Sequence, residues 1–369
     1  MVVFIPMKEC TGTCMSQGQS FPSYQKDGIS ISNRDVNELY VDWKTPVTII
    51  SDGAYGTGLF PNEPDDPYEI DEWYEPHIKA WSKYSTPLTT LWFWNTELGW
   101  AEVHPLLEKY GWEYRGANIW NKGMGHIAGN SNTKKMRKFP QVTEVCVQYV
   151  RKAEFDPPTS DEPMSMQEWV INEWKRTGLT LQDANDACGV ADAASRKYLT
   201  KGNLWYYPPP ERMEAMVEYA NEHGDSDGKP YFAPDGENPV TAEEWEKYRA
   251  KFDCPAGVTN VWEHSQVNGD ERIKNEDGTL HINQKPLQLM RRIIRASTER
   301  KDVVWEPFGG LCTGAVAGKQ LDRRVYAAEI VDEYYRKSVE RLNNTEYSKH
   351  LESSDSSEQS QSGIDEWNN

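Results

Sequence analysis

No run of about 20 consecutive apolar residues occurs in the 369-residue chain, so no segment reads as a membrane-spanning helix. Apolar residues make up only 37% of the sequence, a low share for a packed protein. Size makes up part of the shortfall, because 15 tryptophans bury a large area per residue. Cysteine is scarce and scattered: of six, only Cys10 and Cys14 are close, and no second pair answers them. That spacing excludes a disulfide framework and a closed zinc site, and cytoplasm is the expected location. Met1-Val-Val-Phe-Ile-Pro is not followed by a positive segment and a small-residue cleavage site, so a signal peptide is not expected. Positive charge is short as well. The 40 Lys and Arg against 58 Asp and Glu leave a formal net charge of -18. Taken whole, this describes an acidic enzyme with a small-molecule substrate, since phosphate binding depends on Lys and Arg.

Taken locally, charge reads differently. Acid concentrates between Glu63 and Glu75 and in the tail from Glu352, whereas basic clusters stand at Lys134, Lys135, Arg137 and Lys138, at Arg291, Arg292 and Arg295, and at Arg323-Arg324. A basic groove in an acidic protein is compatible with this pattern.

The chain alternates short apolar strands with amphipathic helices, which favours α/β over all-α or all-β. Val47–Ile50, Leu88–Trp94, the segment near Tyr114–Trp120, Val142–Val150, Val303–Trp305 and Val325–Glu329 read as strands, from β-branched and aromatic content. Ala101–Tyr110, the segment from Pro286, Cys312–Leu321 and Asp332–Leu342 read as helices. Five segments follow: an N-terminal arm (1–30), a first α/β part (31–154), a turn-rich, largely helical region (155–275), a second α/β part (276–345) and an acidic disordered tail (346–369). Inside the helical region, Thr180 caps a helix, Gly189 makes a turn and a short second helix carries Ser195, Arg196 and Lys197. This is the outline of a helix-turn-helix; its plainer reading is a helical hairpin.

Two strand ends carry chemistry. Residues 47–56, VTIISDGAYG, place a carboxylate, a bare backbone and an aromatic ring after a strand. Residues 303–310, VVWEPFGG, place a glycine turn between a strand and a helix, where main chain approaches a ligand closely and helix N–H groups stand unpaired. About 20 residues on, Glu329 ends the next strand, where an acid can accept from ribose hydroxyls. On residues alone, this suits a dinucleotide or S-adenosylmethionine equally, and Asp52-Gly53 also reads as an ordinary turn.

Together the motifs resemble the β-class (permuted) S-adenosylmethionine-dependent amino DNA methyltransferases, the N6-adenine/N4-cytosine type of restriction-modification systems. Residues 306–310 resemble the family's Asp-Pro-Phe-x-Gly-Ser-Gly, with Glu306 for the acid and Leu311-Cys312 for the Ser-Gly continuation. Residues 51–56 fall where the family carries Asp/Asn/Ser-Pro-Pro-Tyr/Phe/Trp, with Gly53 and Ala54 for both prolines. Residues 281–289, HINQKPLQL, resemble the segment beside the methionine end of the cofactor, and Asp35 with Leu39 resembles the lead-in to the catalytic strand. The resemblance implies a mostly parallel seven-stranded methyltransferase sheet with a reversed edge hairpin, and an inserted helical target-recognition region. It implies Asp52, Gly53 and Tyr55 as catalytic residues. Asp35, Gln284, Lys285, Glu306, Phe308, Gly309, Gly310 and Glu329 would hold S-adenosylmethionine, with no metal required. Ser195, Arg196, Lys197, Lys134, Lys135 and Arg137 would contact duplex DNA, and a cognate restriction endonuclease would be the system partner. Adenine N6 is the expected target. Cytosine N4 is the alternative, because serine is commoner at the first motif position there and Ser51 precedes Asp52. A catalytically inactive DNA-binding module and a small-molecule methyltransferase are the remaining alternatives.

Overall fold

A computed structural model of the protein describes residues 22–127, 137–155, 163–202, 205–226, 228–276 and 278–352. Lys134, Lys135, the first 21 residues of the arm and the tail from 353 lie outside the described residues. The strands are β1 Ser23–Lys26, β2 Ile29–Ser32, β3 Thr48–Ser51, β4 Thr90–Asn95, β5 Trp112–Asn121, β6 Thr143–Arg151, β7 Glu154–Phe155, β8 Met164–Ser165, β9 Val261–Glu263, β10 Lys274–Asn275, β11 Gly278–Thr279, β12 Val303–Glu306 and β13 Arg324–Ala328. The helices are α1 Ile70–Tyr84, α2 Glu97–Lys109, α3 Met166–Arg176, α4 Leu181–Ala187, α5 Ala193–Lys197, α6 Pro210–His223, α7 Ala242–Glu246, α8 Leu287–Ser297, α9 Thr313–Gln320 and α10 Asp332–Asn343.

Two compact units result, one from Gln19–Arg151 with Ala250–Asn369, the other holding Lys152–Arg249. Among the described residues, the first unit carries a nine-stranded, mostly parallel sheet in the order β1-β2-β13-β12-β3-β4-β6-β5-β9. The α/β architecture with a mostly parallel central sheet is as expected, but the strand count is nine rather than seven. The short edge strands β1, antiparallel to β2, and β9, parallel to β5, account for the difference. β6 runs antiparallel to β4 and β5, which is the expected reversed hairpin.

The central strands β3 and β12 are nearly continuous Thr, Ile, Val and Trp. That suits strands covered on both faces, and Ile49, Ile50, Val304 and Trp305 are fully buried. α8 presents Leu289, Met290, Ile293 and Ile294 to this core at helical spacing. α1 was not expected from its acidic sequence. It buries Ile70, Tyr74, His77, Ile78 and Trp81 on one face, and that aromatic stripe outweighs an internal proline.

Residues 250–275 belong with the sheet unit rather than with the helical region in which the sequence reading places them. Trp262 of β9 is buried in the sheet core 6.0 Å from Trp94. In the other unit, Trp169, Trp174, Met213, Met216, Phe232 and Trp245 form a separate core. α4 opens on a Thr180–Asp183 capping box, and Gly189 takes the positive φ (61°) of a turn that favours glycine.

Candidate active site

β12 is flanked by β13 and β3, with Val304 paired to Val325 on one side and to Thr48 on the other. The loops after these three strands therefore emerge side by side, at the edge where open α/β sheets bind ligands. They line a cavity of about 470 Å³ together with residues 34–37, 281 and 283–285, a volume in the range for a nucleoside-sized ligand.

On one side lie the turn after β12 and the acid after β13. Gly309 N–H donates to the Ala328 carbonyl at 2.7 Å, and an added Cβ at Gly309 would meet that carbonyl oxygen at 2.9 Å. Close approach explains this glycine. Cys312 stands in the left-handed region at φ 49°, which explains why the resembling motif carries glycine there. Glu329 accepts from Gly310 N–H at 2.5 Å and from Val331 N–H at 2.7 Å. Burial nevertheless pushes its carboxyl up to about 7. Glu306 is turned to a structural task. Its carboxylate accepts from Gly314 and Ala315 N–H, both at 2.7 Å, at the start of α9, and burial pushes it up to about 8.

On the other side, Asp52 follows β3. Lys285 Nζ donates to Asp52 Oδ1 at 2.7 Å and contacts the Tyr55 hydroxyl at 3.0 Å, while that hydroxyl donates to Asp52 Oδ1 at 2.8 Å. The Lys285 side chain is 1% exposed. It also meets Glu144 at 3.3 Å, and Glu144 in turn pairs with Lys122. Burial raises the Asp52 carboxyl, and Lys285 works against that shift. Burial works to lower the Lys285 ammonium, but Asp52 and Glu144 outweigh it and hold it above the ordinary lysine value. Two carboxylates and two ammonium groups thus balance within one buried cluster. The Ala54 carbonyl accepts from Asn95 at 2.8 Å and Tyr74 at 3.2 Å. Gly53 packs so closely that a Cβ would meet the Phe308 ring at 2.7 Å.

Asp52, Gly53, Tyr55, Asp35, Gln284, Lys285, Glu306, Phe308, Gly309, Gly310 and Glu329 all line this one cavity. Their tasks differ. Asp35 caps the turn at 36–38. Gln284 pins residues 271 and 273 through its side chain. Phe308 stands 4.8 Å from His77 and 5.0 Å from Trp73 in an aromatic cluster. Ser195, Arg196 and Lys197 lie on α5 in the other unit. The Ser195 hydroxyl and N–H bond Asn185 at 3.1 and 3.0 Å, so its polar groups join the two helices of the hairpin. Arg196 pairs with Asp192 and Lys197 covers the Tyr206 ring, both on exposed surface. Arg137 is exposed before β6.

Sequence reasoning did not single out Glu144, Lys122, Glu63, Tyr74 or Asn95. The one available signal was Glu144, a lone acid in an apolar strand. Among the described residues, no group of three or more His, Cys, Asp or Glu side chains is placed to hold a metal ion, and no helix is long and apolar enough to cross a membrane.

A family model described as DNA methylase matches residues 47–340. The Type II methyltransferase M.BglII of Bacillus subtilis is 31% identical over 140 residues, covering 36% of this chain and 32% of the relative. M.HinfI of Haemophilus influenzae is 37% identical over 84 residues, covering 22% of this chain and 23% of its own length. The matched stretches thus span about a third or less of these relatives. The crystal structure of the M1.HpyAVI-SAM complex aligns over 85% of this chain and 99% of that one, at 18% identity and a TM-score of 0.44, a likeness too distant to bear on activity.

Proposed function

The chain belongs to the N6/N4 DNA methylase family, and from that premise we propose that it transfers a methyl group from S-adenosylmethionine to the exocyclic N6 amine of adenine in duplex DNA at a specific sequence. The observation that carries this reading is the Asp52–Tyr55 pair at the end of β3, facing the same cavity as the Gly309-Gly310 turn and Glu329. The test is to incubate the protein with methyl-labelled cofactor and mixed-sequence duplex, digest to nucleosides and identify the labelled base. Label on N6-methyladenine supports the reading. Label on N4-methylcytosine, on no base, or on a small molecule overturns it in favour of a named alternative.

An amine conjugated to a base ring is a poor nucleophile. Asp52 and the Gly53 carbonyl accept its two hydrogens, which turns the nitrogen lone pair out of conjugation and toward the methyl group. The Ala54 carbonyl is already occupied by Asn95 and Tyr74. Tyr55 stacks on the base once it has left the duplex. When bound, S-adenosylmethionine supplies the methyl group on a sulfonium. The cavity suits it through the glycine turn and through Glu329, placed to accept from ribose hydroxyls. Adenine is favoured over cytosine because Asp52 lines the cavity, whereas Ser51 is fully buried within β3 and does not.

Cofactor affinity is expected to depend on pH through Glu329. Its carboxyl is held up at about 7, and two ribose hydroxyls prefer the ionised form as acceptor. Binding below that value releases a proton. Affinity therefore falls as pH drops from 8 to 6, approaching about tenfold per unit below the pKa. Glu329→Gln should flatten the slope, and Glu329→Ala should weaken binding by about 1.5–3 kcal/mol. Calorimetry giving a flat wild-type affinity across that range would remove Glu329 from the cofactor site.

Duplex recognition is assigned to residues 178–210, with Arg196 and Lys197 on phosphates, and to the basic segment that includes Lys134, Lys135 and Arg137. A restriction endonuclease of the same target sequence is the system partner in this reading. Replacing Arg196 and Lys197 by alanine should weaken DNA binding and lower its salt slope by about two. An equal slope for wild type and variant would return α5 to a packing role.

A further inference from the structure

We infer that Glu63 is a positioning residue for methyl transfer, organising the loop that carries Tyr55 by a single carboxylate. This rests on the proposed reaction at Asp52. Gly53 and Ala54 leave the strand-end backbone without proline's fixed φ, and Gly56 and Gly58 add positive φ values of 72° and 63°. Such a segment loses much conformational entropy on ordering. Something must compensate, because Tyr55 has to hold one orientation against the base.

Glu63 does so from eight residues away. Its Oε1 accepts from Tyr55 N–H at 2.6 Å. Its Oε2 accepts from the Thr57 hydroxyl at 2.8 Å, Leu59 N–H at 3.0 Å and Phe60 N–H at 3.3 Å. Bonds to an ionised acceptor are the stronger kind. The main chain closes around them, with Glu63 N–H to the Phe60 carbonyl at 3.1 Å and Gly58 N–H to the Pro64 carbonyl at 3.0 Å.

The two ends of this loop touch the two halves of the cavity. At one end the Tyr55 hydroxyl bonds Asp52. At the other the Phe60 ring stacks on His281, with centroids 5.0 Å apart and planes 18° apart, and both rings line the cavity. Glu63 therefore couples the wall that receives the base to the wall beside the glycine turn. The Glu63 carboxylate, accepting from Tyr55 N–H, fixes where Tyr55 starts, and the Asp52 contact fixes where its ring ends.

The test compares Glu63→Ala, Glu63→Gln and Glu63→Ala combined with Ala54→Pro, by single-turnover methyl transfer at saturating cofactor and DNA. Glu63→Ala should lose about 10²-fold in rate, the effect of a displacement of order 1 Å near the reacting atoms, with a smaller change in cofactor affinity. Glu63→Gln keeps an acceptor oxygen and should recover to within about tenfold of wild type. Ala54→Pro should restore part of the loss, because it removes backbone freedom without replacing the acceptor. Hydrogen exchange supplies a readout independent of activity: the Tyr55, Leu59 and Phe60 amides should lose protection in Glu63→Ala. A folded Glu63→Ala with a rate within twofold of wild type overturns the inference, as does a loss that neither Gln nor Pro relieves. If Glu63→Ala does not fold, Glu63→Gln decides. A rate loss of about three- to tenfold at the wild-type melting temperature supports the inference, and no loss overturns it. A wild-type protein that methylates no DNA sinks the proposed reaction instead, and unchanged exchange at the three amides then sinks the loop inference separately.

Discussion

Asp52→Ala is expected to abolish methyl transfer, by at least about 10²–10³-fold in the single-turnover rate, while cofactor binding survives. Asp52 sits where β3 ends, with its side chain 19% exposed, and it lines the cavity. Alanine removes the acceptor for one amine hydrogen and also the partner of Lys285 Nζ and the Tyr55 hydroxyl. Asp52→Asn keeps one acceptor oxygen but loses the charge that faces Lys285, so it should retain only part of the activity. The Tyr55 hydroxyl donates to Asp52, so Tyr55→Phe should also slow transfer, beyond what a stacking ring alone requires. Tyr55→Ala should lose about 1–3 kcal/mol of base stacking in addition. A pH profile checks the same centre. Burial raises the Asp52 carboxyl, with Lys285 opposing, and the ionised form is the one that accepts from the amine. Activity should therefore fall with falling pH at values above an ordinary aspartate, and this limb should vanish in Asp52→Asn. Full activity in Asp52→Ala would move the active centre to Asp35 or Glu306, two further acids that line the same cavity.

The central sheet is legible in the sequence because β3, β12 and β13 are short apolar runs ending in acid, proline or glycine, and such strands are buried on both faces. The edges are not. β1 (SYQK) and β9 (VWE) have only four and three residues, too few to show a strand pattern, and their pairing is decided by tertiary contact, as at Ile119 with Val261. α1 is hidden by the acids around its buried stripe. The cavity residues follow the same division. Asp52, Tyr55, Gly309 and Glu329 stand at strand ends, which local patterning marks. Lys285 stands before a helix 233 residues from Asp52, so the sequence could place a cation there but could not name its partner. Glu306 reads as a ligand-facing acid, yet the extra methylene of Glu lets its carboxylate reach the first amides of α9. Ser195 reads as a DNA-contacting hydroxyl, and the α4–α5 turn engages it through Asn185. Polar residues at motif positions are legible as polar; which neighbour satisfies them is a property of the packed chain.

Lys285→Met is expected to cost about 3–5 kcal/mol of stability near pH 8 and most of the activity. Met keeps the unbranched stem and removes the ammonium, which leaves Asp52 and Glu144 with Lys122 as the remaining cation of the cluster. Wild-type Lys285 is held above the ordinary lysine value by those carboxylates. Its contribution is therefore fully present below the unfolded lysine pKa and is lost as pH rises through the folded one. In the variant the sign moves to the acids. An unpaired buried carboxyl has a raised folded pKa, so the folded chain binds an extra proton, and stability falls as pH rises from the unfolded carboxyl value to the raised one. The difference from wild type should accordingly be larger at pH 8 than at pH 5. Adding Glu144→Gln should recover part of the loss, because it removes the excess negative charge left in the cluster, and the double-mutant cycle then reports the coupling of Lys285 to Glu144. Urea denaturation at both pH values measures all of this. A loss below about 1 kcal/mol, equal at pH 5 and pH 8, would show that the ammonium contributes little to holding the two carboxylates in place. It would leave Tyr55 as the side chain that orients Asp52.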